Sequence, residues 1–110
     1  MKKTQATRKS GEELRAKIAN VLLFQVSDPR LQMVTVTGCD VSKDREVADV
    51  YISADASRYE EVEEGLQAAK GRIRSLVGKG LGWRTTPELR FHIDTTVDEA
   101  MHIAELLDQQ

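Results

Sequence analysis

Residues 66–94, LQAAKGRIRSLVGKGLGWRTTPELRFHID, constrain this chain more than any other stretch. Helical periodicity crosses a glycine there, meets three further glycines, and gives way to strand alternation. Val62, Leu66, Ala69, Ile73 and Leu76/Val77 share one helical face through Gly71. A glycine inside a helix costs about 1 kcal/mol relative to alanine, and such a residue commonly marks a kink or the close approach of another backbone. The pattern predicts two helices meeting at an angle at Ala69-Lys70-Gly71, with Gly78, Gly80 and Gly82 dissolving the second. Pro87 then opens a strand whose Leu89, Phe91 and Ile93 alternate with Arg90, His92 and Asp94.

The remaining segments supply partners for that unit. Residues 1–9 are polar and basic without periodicity and read as a flexible arm. Ser10 and Glu13 have capping-box spacing and predict a helix start. Leu14, Ile18, Val21 and Leu22 form its apolar face, and Asp28-Pro29 ends it. Val34, Val36 and Gly38 alternate with Thr35, Thr37 and Cys39 as a first strand. Residues 42–46 read as a hairpin turn. Ala48, Val50, Ile52 and Ala54 then mark the inner face of a second strand. Thr96 and Glu99 form another capping box, and Val97, Met101, Ala104 and Leu107 mark a final helix. The order α-β-β-α-kink-α-β-α predicts an α+β domain over residues 10–108, a three-stranded sheet with helices packed on one face. That order of elements matches the type II KH fold.

At 110 residues the chain is one domain with a single modest core. No apolar run is long enough to span a membrane, and Met1-Lys2-Lys3-Thr4-Gln5 lacks the apolar region of a secretory signal. The lone Cys39 has no disulfide partner, which fits a reducing, cytoplasmic setting. His92 and His102 stand ten apart with no acidic residue at zinc-motif spacing, so no metal or other cofactor is expected. No nucleophile motif or P-loop accompanies them, so the chain does not read as an enzyme.

The net charge of −2 hides a strong segregation. Residues 1–30 carry seven basic and three acidic groups, and residues 31–66 carry three basic and nine acidic. Residues 67–90 carry six basic groups against Glu88 alone, and residues 91–110 carry five acidic groups and no basic ones. A docking polyanion feels the local field, because charges beyond about 8 Å are screened in physiological salt. The candidate phosphate contacts are therefore Lys70, Arg72, Arg74 and Lys79 around the glycine, Arg8, Lys9, Arg15 and Lys17 around the first helix, and Arg84 and Arg90 bracketing the last strand. The competing reading makes these the solvated rim of amphipathic helices. Trp83 fits either a base-stacking role or a seal at the core edge. Asp28-Pro29-Arg30 reads as a helix stop with an ion pair.

Asp28-Pro29-Arg30-Leu31, Val41-Ser42-Lys43-Asp44, Ala48-Asp49-Val50-Tyr51-Ile52, Ala69-Lys70-Gly71, Ile73-Arg74, Trp83-Arg84 and Pro87-Glu88-Leu89-Arg90-Phe91 with Asp94 occur in this order. Together they resemble the ribosome-binding factor A family of bacteria over residues 8–107. The resemblance implies a KH-like RNA-binding domain whose Ala-x-Gly kink replaces the usual GXXG loop. It implies a non-enzymatic, monomeric factor that binds the free 30S small ribosomal subunit and assists late 16S rRNA maturation and 5′-end processing, above all in the cold. By the same resemblance it acts near the 5′-terminal helix and the decoding-region helices, and a ribosome-dependent GTPase helps its release. Relatives often carry glycine then arginine early in the last helix, where this chain has Ala100 and His102, so that arginine's contact does not carry over. The acidic 40–64 segment leaves an alternative, a module that binds a basic ribosomal protein without touching rRNA.

Overall fold

A computed structural model describes residues 5–96 and residues 104, 106 and 107. The elements are α1 (Gln5–Phe24), β1 (Thr35–Val41), β2 (Val47–Ser53), α2 (Tyr59–Leu81) and β3 (Glu88–Ile93), with short 3-10 turns at Pro29–Leu31 and Ala56–Arg58. The sheet order is β1-β2-β3, with β1 and β2 antiparallel and β2 and β3 parallel. A parallel neighbour needs a crossover connection, and α2 provides it. Leu14, Ile18 and Val21 of α1 and Leu66, Ile73 and Val77 of α2 bury against Ala48, Val50, Ile52 and Leu89 of the sheet. The α+β reading with a three-stranded sheet holds. Of the final-helix residues, Val97 and Met101 lie outside the described residues, while Thr96, Ala104, Leu106 and Leu107 are helical.

Several local expectations need correction. The first helix starts at Gln5, ahead of Ser10. Ser10 is buried, and its hydroxyl accepts a hydrogen bond from Arg45 Nη2 at 3.1 Å, so it serves tertiary structure instead of a cap. That helix ends at Phe24, before Asp28-Pro29. Asp28 instead caps the following 3-10 turn, accepting from the Arg30 backbone N–H at 2.9 Å and from Arg30 Nη2 at 2.7 Å. The β1 alternation also resets. A bulge between Val36 and Gly38 adds Thr37, so Val36, Cys39 and Val41 face the core.

The largest correction concerns the expected kink. The two helices predicted to meet at Ala69-Lys70-Gly71 are one helix of 23 residues, and Gly78 and Gly80 also stay helical. Only Gly82, at φ 67°, ends it in the left-handed conformation that glycine adopts freely. Magnitudes explain this outcome. Each fully buried Leu, Ile or Val contributes roughly 1.5–3 kcal/mol, and Val62, Leu66, Ile73 and Val77 are all fully buried or nearly so. One glycine, at about 1 kcal/mol, does not overturn that sum.

Four carboxyls hold the connections, Asp44 and Asp55 exposed and Asp28 and Asp94 half-buried. Hydrogen bonds from Arg30 to Asp28, from Ser42 to Asp44, from Ser57 to Asp55 and from Thr96 to Asp94 lower each pKa below the ordinary 3.8. A carboxyl with a depressed folded-state pKa stabilises the fold above its unfolded value, and that contribution is lost as pH falls through the folded value. Urea titrations between about pH 5 and pH 2 are expected to show stability falling with acidification, less steeply in Asp28→Asn than in the wild type.

Candidate nucleic-acid interface

Helix α2 is electrically polar along its length. Glu60, Glu61, Glu63 and Glu64 fill its N-terminal third, and Lys70, Arg72, Arg74 and Lys79 fill the rest. This arrangement suits the helix macrodipole. It also turns the charge segregation of the sequence into segregation in space, across a helix roughly 34 Å long at about 1.5 Å per residue.

The ten sequence-predicted cations fall into separate groups. Lys17 of α1 lies against α2 at Gly80, where an added Cβ would collide with its Cε and Nζ. Arg72 and Lys79 stand seven residues apart on that same flank of α2. Arg72 further lines a cleft of about 500 Å³ with Ala68, Ala69 and the Val26, Ser27, Asp28 and Pro29 segment that follows α1. Lys17, Arg72 and Lys79 therefore share the seam between the two helices. Lys70 and Arg74 sit on the opposite flank, toward β3. Arg74 is already engaged there, donating from Nη2 to the Thr86 carbonyl at 2.6 Å and from Nε to the Pro87 carbonyl at 3.1 Å. It pins the entry to β3 onto α2.

The others are dispersed. Arg15 lines a groove on the β1 side of α1, away from α2. Arg8 and Lys9 are exposed near the start of α1, and Arg84 is exposed beyond the end of α2. Arg90 lies on the face of the sheet opposite α1 and α2, 3.4 Å from Glu88. On that face His92 Nε2 is 2.8 Å from Asp49 and its ring stacks on Tyr51 at 5.3 Å.

Gly71 is exposed, and a Cβ placed there meets nothing within 4 Å among the described residues. Their packing does not need a glycine at this position. Gly71→Ala is expected to raise stability by about 0.5–1 kcal/mol through helix propensity and a less flexible unfolded chain. Weaker docking by the same variant, measured by cosedimentation, would assign the missing side chain to the approach of an external partner.

Sequence reasoning missed Arg45. It sits in the hairpin turn at φ 60°, its guanidinium lies 4.4 Å above the Trp83 ring, and its Nη2 reaches Ser10. Three distant segments are thereby joined by one side chain. Trp83 packs on the core edge with one ring face under Arg45, which favours the sealing role over base stacking. No local signal marks such a contact, because its partners are 35 and 38 residues away. Arg58 was equally silent: it donates to the Gln32 carbonyl at 2.6 Å and the Arg30 carbonyl at 3.2 Å, and pairs with Glu61 at 2.6 Å.

Comparison with known proteins agrees with this architecture. The family model described as ribosome-binding factor A matches residues 6–107. Ribosome-binding factor A of Clostridium perfringens is 42% identical over 102 residues, covering 89% of this chain and 88% of that protein. The Alcanivorax borkumensis protein of the same name is 36% identical over 106 residues, covering 94% and 77%. Among solved structures, the crystal structure of ribosome-binding factor A from Thermus thermophilus superposes with a TM-score of 0.73 at 26% identity, covering 79% of this chain and 93% of that one. A Thermus thermophilus ribosome-binding factor A fitted into the cryo-EM map of a 30S complex matches with a TM-score of 0.61 at 24% identity, covering 77% and 91%. With the helix order, the mixed sheet and nearly the whole length in agreement, this chain belongs to the ribosome-binding factor A family.

Proposed function

We propose that this chain is an assembly factor that binds the free 30S small ribosomal subunit through rRNA, using the α1–α2 seam as its phosphate-facing edge. The observation that carries the reading is the family match over residues 6–107. The clustering of Lys17, Arg72 and Lys79 supplies the chemistry. Lys70, Arg84, Arg8, Lys9, Arg15 and Arg90 lie away from that edge and serve as peripheral contacts. Arg74 acts first as a structural clamp.

The same reading extends to late 16S rRNA maturation, including 5′-end processing, with docking near the 5′-terminal helix and the decoding-region helices. The requirement is greatest in the cold, where misfolded rRNA helices escape slowly. Release is assisted by a ribosome-dependent GTPase. The chain works in the cytoplasm, as a monomer, by binding and not by catalysis, and needs no cofactor. Recognition rests on rRNA shape and phosphate position, since aromatic content is only 5% and Trp83 is engaged.

Cosedimentation with purified 30S, 50S and 70S particles tests the proposal. The expected result is salt-dependent association with free 30S particles, weaker with 70S and absent with 50S. Equal association with 50S particles, or association that ignores salt, would sink it.

A further inference from the structure

The opposite side of α1 carries a groove away from the α1–α2 seam, with Arg15 on its rim. It encloses about 700 Å³ between the second half of α1, the Val26-to-Val34 connection and the start of β1, with Leu22, Val26, Leu31 and Val34 in its lining. Large apolar side chains at this end stand in water: Leu23 is 74% exposed, Phe24 73% and Met33 90%. Leu23 and Met33 line the groove itself, and Phe24 is the last residue of α1. Met33 also adopts φ 62°, a left-handed backbone that a non-glycine residue holds at a cost. The turn between the 3-10 segment and β1 thus holds a methionine in solvent at a conformational cost, which burial by a partner would offset.

The charge beside the groove identifies the partner. Gln32 lines the groove, and its carbonyl accepts from Arg58, which also holds Glu61. Glu60, Glu63 and Glu64 line the neighbouring depression with Arg30. With Asp28 and Asp55, this end of the molecule has, among the described residues, six acidic groups against Arg30, Arg58 and the Arg15 that lines the groove. Such a flank repels phosphate and attracts lysine and arginine.

We infer that this groove is a protein-docking site for a basic segment with aliphatic anchors. The anchors enter between Leu22, Val26, Leu31 and Val34, with Leu23 and Met33 against them, and the basic side chains lie along Glu60, Glu61, Glu63 and Glu64. The inference rests on the small-subunit reading for where such a segment is met, because proteins that hold rRNA are rich in Lys and Arg. The factor then grips RNA with one side and a neighbouring protein with the other.

The test is the combined variant Leu23→Ser, Phe24→Ser, Met33→Ser, whose exposed positions leave the core intact. Loss of such anchors is expected to weaken 30S binding about tenfold, with an unchanged log–log salt slope because no phosphate contact is removed. Photocrosslinking from Phe24→benzoylphenylalanine on 30S particles is expected to label a small-subunit protein. Labelling of rRNA, of a second copy of this chain, or of its own residues 97–110 overturns the inference, as does wild-type affinity in the triple variant. A second arm needs no ribosome. An amphipathic Lys/Leu peptide is expected to bind the wild type, to bind Arg72→Glu equally well, and to bind the triple variant about tenfold less. No binding to the wild type, or equal binding to the triple variant, overturns the docking site. This arm decides even where small-subunit association itself fails.

Discussion

Reversing the three cations of the α1–α2 seam, Lys17→Glu, Arg72→Glu and Lys79→Glu, is expected to reduce 30S affinity on the order of a hundredfold or more at physiological salt. Each lost phosphate contact removes roughly 0.7–0.9 from the slope of log affinity against log salt, so the slope should become shallower by about 2 to 3. Arg72 and Lys79 are exposed and Lys17 half-buried, so the variant should melt close to the wild type. Wild-type affinity in a folded triple variant would remove the seam from the interface. Arg74→Glu is a poorer probe, although Arg74 lies in the same basic half of α2. Its guanidinium holds the carbonyls of Thr86 and Pro87, so its reversal loosens the entry to β3 as well as any contact with RNA. Binding lost together with thermal stability in Arg74→Glu would report the clamp.

Gly11→Val is expected to destabilise the fold by about 3 kcal/mol or more, the upper end for overpacking, seen as a urea midpoint shift. A Cβ at Gly11 would stand 2.5 Å from the Cys39 carbonyl oxygen, closer than real Cβ contacts come. The Cβ is fixed by the helix backbone and its obstacle is a backbone carbonyl, so no rotamer change relieves the collision. Relief requires α1 to lift from β1, which uncovers Leu14 and Ile18, both fully buried. The contrast with Gly71→Ala is informative. Both glycines lie inside helices, where a side-chain-bearing residue other than proline would improve propensity by up to about 1 kcal/mol. At Gly71 the surrounding space is open and propensity decides the sign. At Gly11 the sheet stands in the way and packing decides it. Equal stabilities for wild type and Gly11→Val would contradict the close approach of α1 to β1.

What was legible in the sequence follows from how local each cause is. The inner faces of β2 and β3 follow alternation that burial on one sheet face enforces, and Ala48, Val50, Ile52 and Leu89 are buried as that pattern requires. The turn at residues 42–46 was readable because Ser42 and Asp44 bond the Glu46 backbone N–H within a few residues. The buried stripe of α2 was readable for the same reason. Its continuity was not, because a glycine's local preference competes with burial summed over the whole helix. Ser10 misled because capping-box spacing is local, while the bond its hydroxyl makes is to Arg45. The β1 bulge was hidden too, since Thr37 finds its partners in the Tyr51 carbonyl at 3.3 Å and Asp94 at 2.7 Å.

The basic set was legible as a list and not as a surface. Ten cations were named from their density along the chain, and the fold gathers Lys17 with Arg72 and Lys79 while sending Arg15 to the other side of α1. Close packing of α1 on α2 at Gly80 makes that division, and neither helix shows it alone.

The polarity of α2 bears on how the factor finds its target. A chain with net charge −2 is repelled weakly by a polyanion at long range. Within about one screening length, roughly 8 Å, the separated ends feel the phosphate field with opposite sign. The field then exerts a torque that swings the basic half inward and the glutamates outward, so unproductive encounters are discarded before contact. Lowering the salt should therefore lengthen residence on the particle more than it speeds arrival. If it docks on rRNA as proposed, such a factor would sample many RNA surfaces briefly and stay only where it lands the right way round.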